Sequence, residues 1–112
     1  MLLALLLMQS TPSAANQADL RCLASFALSA SDSLTAEQRA GLSSAATYFV
    51  GRIDARTANF DYEAAFVDLF SRPDALAAID ADRQRCAALV QDRGSALQAL
   101  GRALKRRAGQ GN

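Results

Sequence analysis

The residue pattern points to an all-α protein, a small bundle of four to five helices closed by one disulfide. Three features carry that expectation. Apolar residues recur at spacings of three and four, and no segment alternates in the two-residue rhythm of a strand. Capping residues and a mid-chain proline divide the chain into helix-length pieces. Cys22 and Cys86 are the only cysteines, and an even count in an exported chain implies a bridge.

Export itself is read from the first fifteen residues. Leu2 to Met8 is an unbroken apolar run of seven. That suits a signal-peptide core, whereas spanning a bilayer takes about 20 apolar residues. The polar stretch Gln9-Ser10-Thr11-Pro12 follows, then Ser13-Ala14-Ala15. Small residues at 13 and 15 suit signal peptidase, which places cleavage after Ala15. Removing fifteen of 112 residues leaves 97, enough for one domain with one modest core. The expected organisation is therefore a signal peptide over 1–15, a helical domain over 16–107 and a disordered tail over 108–112.

The composition is rich in Ala, Leu, Arg and Asp, with one Lys and neither His nor Trp. Such a bias fits a high-GC bacterial genome, and with the leader it gives a periplasmic or secreted address. A Cys22–Cys86 bridge would span 64 positions, worth about 4 kcal/mol by the loop-entropy model. Asp19-Leu20-Arg21 before Cys22 is not a lipobox, because a charged arginine stands where a small residue is needed. Two thiols without histidine do not make a metal site either.

The first helix is expected from about Gln17 to Ser29, with Leu20, Leu23, Ala24 and Ala27 inward and Cys22 and Phe26 as a flanking stripe. Thr35-Ala36-Glu37-Gln38 fits a capping box for the second. Leu42, Ala45, Ala46, Phe49, Val50 and Ile53 give that helix an apolar face, and it should end near Arg56. No charge lies between Ala40 and Gly51, which marks this helix as the central one, surrounded by protein. Asp61 should cap a short third helix, Tyr62 to Phe70, stopped at Arg72-Pro73. A brief turn through Leu76 and Ile79 would follow. Asp80 or Asp82 would then open the last helix, burying Cys86, Leu89, Val90, Leu97, Leu100 and Leu104 and ending near Arg107.

Catalytic chemistry finds little support. Without histidine, His-based triads and most zinc sites are excluded. The aspartates Asp19, Asp61, Asp74 and Asp80 are explained as helix caps, and Glu37 and Glu63 lie in first turns. No catalytic residues, cofactor or metal are expected, and nothing suggests nucleic-acid binding. The most distinctive stretch is Tyr48 to Arg56. Tyr48 and Arg52, four apart, could pair ring to guanidinium, with Arg52 bonding Asp61 or a loop carbonyl, or could face a partner.

Asp19-Leu20-Arg21-Cys22, then Tyr48-Phe49-x-Gly51-Arg52-Ile53-Asp54-Ala55, then Phe60-Asp61 and a second cysteine form a pattern across most of the mature chain. It resembles a group of small exported alphaproteobacterial proteins with no established activity. The resemblance implies export and names no chemistry. More loosely, size, export and one disulfide are similar to periplasmic acid-stress chaperones and periplasmic immunity proteins, from which no functional residues carry over.

The leading functional expectation is a non-catalytic exported interaction protein with a protein partner in the periplasm. An acid-conditional chaperone is the first alternative. Protonating all 11 carboxylates would take the net charge from +1 to about +12 and loosen the bundle. The second is peripheral binding to an anionic envelope surface through Arg102, Lys105, Arg106 and Arg107, which balance a rest of the domain at −3. Finally, Ala40, Ser44, Thr47 and Gly51 form a small, uncharged stripe on the back of the second helix. Either the last helix covers it or it is an open groove for a partner.

Overall fold

The computed structural model describes residues 13–31 and 33–111. Among them the chain is all-α, with four helices: α1 (Ala14–Leu28), α2 (Ala36–Arg56), α3 (Tyr62–Ser71) and α4 (Ala75–Gln110). The apolar run proposed as a signal-peptide core lies outside the described residues. Ser13 caps α1, its hydroxyl accepting from the Asn16 amide at 3.1 Å. A cut after Ala15 would remove that cap and the first residues of the helix.

Local chemistry explains the boundaries of α2 and α3. The Thr35 hydroxyl accepts from the Gln38 amide at 3.1 Å while Gln38 accepts from the Thr35 amide at 2.9 Å, a complete capping box. The Asp61 carboxylate accepts from the Ala64 amide at 3.0 Å and opens α3. Arg72, extended at φ −79° and ψ 137°, closes it ahead of Pro73. Between α2 and α3, Asn59 takes the left-handed conformation at φ 57°, which asparagine tolerates better than most residues.

The last helix departs from expectation at both ends. No break occurs at Asp80 or Asp82, and the turn through Leu76 and Ile79 is simply the start of α4. Six alanines between positions 75 and 88, with no glycine or proline, favour an unbroken helix. The Asp82 carboxylate pairs with Arg21 of α1. At the other end the helix continues past Arg107 to Gln110, so 108–110 are helical.

The chain divides into two compact units, one extending to Asp82 and the other beginning at Arg83. In the first, α1 packs chiefly on α2 and also against α3. Leu20, Ala24, Leu69 and Ile79 form a buried cluster, with Phe60, Tyr62, Ala65 and Phe66 packed against it. Phe49 and Ile53 are fully enclosed on the α1-facing side of α2, and Phe49 stacks on Phe26 at 5.8 Å. Ala27, expected on an inward face, is exposed, and Phe70 and Leu76 are exposed as well. The second unit is one stretch of helix. Cys86 is buried, Leu89 and Val90 are half-buried, and Leu97, Leu100 and Leu104 are exposed, contrary to expectation. A unit made of one helix has no second element of its own to cover its leucines. Both cysteines are disulfide-bonded and fully buried.

Nor is α2 enclosed on all sides. Ala40, Ser44, Thr47 and Gly51 are exposed, and nothing lies within 4 Å of a Cβ built at Gly51. The absence of charge does not bury this face, because serine and threonine hydroxyls hydrate well enough to leave it in water. Thr47 also satisfies its hydroxyl locally, donating to the Ser43 carbonyl at 2.8 Å.

Candidate functional site

The most organised polar group in the first unit lies along the α1–α2 seam. Asp19 is 1% exposed, and its Oδ2 receives Arg56 Nη1 at 2.7 Å and Arg52 Nε at 3.0 Å. One turn earlier, buried Asn16 accepts from Arg56 Nη1 at 3.0 Å and donates to the Thr57 hydroxyl at 2.9 Å. Arg52 Nη1 also donates to the Tyr48 hydroxyl at 2.9 Å, and its guanidinium carbon lies 5.5 Å from the Tyr48 ring centre. The hydrogen bonds to Tyr48 and then Asp19 raise the Arg52 pKa, outweighing desolvation. The Tyr48–Arg52 pairing expected from their spacing is thus present. The carboxylate partner of Arg52 is Asp19, not Asp61 or a loop carbonyl, because Asp61 is occupied in capping α3.

Asp19 is no cap either. Ser13 takes that role, and Asp19 stands in the second turn of α1 on the stripe it shares with Cys22, Leu23 and Phe26. The signal was present in the sequence: Asp19, Cys22, Leu23 and Phe26 follow i, i+3, i+4, i+7, so a carboxylate there had to be buried. Arg52 and Arg56, four apart, supply its counter-charges from α2. Two guanidiniums against one carboxylate leave a net positive charge, and the arginine side chains are 34% and 32% exposed.

Between α1 and α3 lies an apolar cleft of about 290 Å³. Leu20, Leu69, Ala64, Ala65 and Phe60 line it, and Asn16, Arg21 and Arg72 stand on its polar rim. Both rim arginines are matched by carboxylates. Arg21 pairs with Asp82, and Arg72 Nη2 pairs with Asp68 at 2.9 Å. Nothing in the sequence reading anticipated this cleft, which depends on α3 packing beside α1 rather than on any motif. The Tyr62 hydroxyl fixes α3 against α2, donating to the Asp54 carboxylate at 2.6 Å with the Val50 carbonyl at 3.2 Å. Burial, then the hydrogen bond and charge of Asp54, push the Tyr62 phenol up to about 12.

None of the remaining sites named from the sequence lines the cleft. Ser44, Thr47 and Gly51 remain on the open side of α2. Arg102, Lys105, Arg106 and Arg107 are exposed in the second unit, near the α4 C-terminus. Among the described residues no group of three or more His, Cys, Asp or Glu side chains could hold a metal ion, and no helix is long and apolar enough to cross a membrane. No protein-family model, curated protein or solved structure matches this chain.

Proposed function

We propose that this protein is a non-catalytic interaction protein of the periplasm or the cell exterior, holding a protein partner at the α1–α3 cleft. The open cleft is the observation that carries the reading. Its lining is mainly apolar, its two rim arginines are paired with carboxylates, and the Asp61 carboxylate accepts from the Ala64 amide. A partner would place an apolar side chain inside without desolvating an unpaired guanidinium. The nearby carboxylates and guanidiniums hold helices together: Asp19 ties α1 to α2, and Asp61 caps α3. A disulfide between fully buried cysteines supports an oxidising compartment.

A photo-crosslinker at Ala64, which is exposed and lines the cleft, tests this reading in periplasmic extract. The expected result is one specific adduct, lost when Ala65→Trp fills the cleft while the melting midpoint is kept. Turnover of a substrate by the purified protein, abolished by a single point substitution, would overturn it.

A further inference from the structure

The second unit carries a feature that the cleft does not explain. Leu97, Leu100 and Leu104 are 66%, 53% and 58% exposed, and they recur at three and four along one face of α4. Gly101 and Ala108 share that face, and Arg93 stands at its N-terminal end. From Arg93 to the C-terminus there are five basic residues and no acidic one. On a helical projection Lys105 flanks the leucines on one side and Arg107 on the other, with Arg102 and Arg106 on the opposite face.

We infer that this half of α4 lies flat on an anionic lipid surface. The leucines enter the headgroup–acyl boundary, while Lys105 and Arg107 extend their stems to keep their charges at the phosphates. Helix-end complementarity accounts for cations in the last turn of α4, but not for three exposed leucines beside them. The charge selects the occupant. Pairing this segment with a second copy would bring ten cations together and only the two Asp92 carboxylates near them, whereas an anionic bilayer offers counter-charges to the cations bordering the leucines. The helix would lie on the membrane rather than span it. This surface shares no residue with the cleft, and either assignment can fail alone.

The test uses the full oxidised chain with vesicles of phosphatidylglycerol or of phosphatidylcholine. Because Leu2–Met8 is itself apolar, the comparison that decides is between variants of the same chain. Replacing Lys105 and Arg107 by Gln should weaken partition onto phosphatidylglycerol about thirtyfold, and raised salt should weaken the unsubstituted chain. Leu97→Ser with Leu100→Ser and Leu104→Ser should weaken it at least about tenfold without lowering the melting midpoint, since the leucines are exposed. Hydrogen exchange over 94–108 should slow with phosphatidylglycerol vesicles and stay unchanged with phosphatidylcholine. Equal binding by the leucine variant, or no slowing over 94–108, would overturn the inference. So would a dimer in solution that the serine substitutions dissociate, because the stripe would then be a self-association surface.

Discussion

Asp19 and Arg56 meet at 2.7 Å across the α1–α2 seam, the carboxylate 1% exposed and the guanidinium 32% exposed. Arg52 approaches the same oxygen at 3.0 Å. Removing one partner of a fully buried ion pair costs about 3–5 kcal/mol. Here the arginines reach water, so Asp19→Ala should cost less, about 2–3 kcal/mol. Arg52→Met and Arg56→Met keep the aliphatic stems, and each leaves Asp19 one counter-charge, so each should cost about 1 kcal/mol. The double substitution strands a buried carboxylate and should exceed the sum of the two. Urea melts of the four proteins check this, and strict additivity would mean that the arginines act independently of Asp19.

Gly51 sits within α2, exposed, with nothing within 4 Å of an added Cβ. Its φ is not positive, so an L-residue fits without strain. The penalty for glycine in a helix interior is therefore not offset by a close contact. Gly51→Ala should raise the unfolding free energy by about 0.5–1 kcal/mol, and Gly51→Leu should fold normally. A lower thermal midpoint for either would show that another surface closes on this face of α2.

The legible parts of the fold were those decided within one turn of helix. The Thr35–Gln38 box, the Asp61 cap and the Arg72-Pro73 stop depend on neighbours three or four residues apart, and each falls where the sequence placed it. What was misread depends on distant segments. Asp80 and Asp82 look like caps in isolation, but Asp82 is drawn to Arg21, 61 residues away. The exposure of Leu97 and Leu104 could not be read from a stripe that describes a buried face and an open one equally well. The cleft has no sequence signature, because its walls come from α1 and α3 and its volume is set by how they pack.

Tyr62 provides a pH test. Its folded-state phenol titrates at about 12 against an ordinary 10.0. The folded state thus holds its proton more tightly than the unfolded state does. The resulting stabilisation is complete below pH 10 and is lost as pH rises through about 12. The melting midpoint should fall over that window, and by less in Tyr62→Phe, which has no phenol to ionise. Parallel declines in both proteins would show that other groups set the alkaline limit.

The disulfide supplies the last test. Cys22 and Cys86 are each 0% exposed, and they lie 64 positions apart. A loop of that length should contribute about 4 kcal/mol by restricting the unfolded chain. That is a large fraction of the 5–15 kcal/mol typical of a whole domain. Cys22→Ala with Cys86→Ala should therefore lower stability by about that amount and steepen the urea dependence, since the unfolded chain exposes more surface. Burial adds a kinetic consequence. A small thiol cannot reach either sulfur in the folded protein, so reduction has to wait for opening. Thiol labelling under reductant should be slow in native buffer and accelerate in sub-denaturing urea. Immediate labelling in native buffer would show that the sulfurs are accessible without unfolding and that the bridge is a labile, switchable bond.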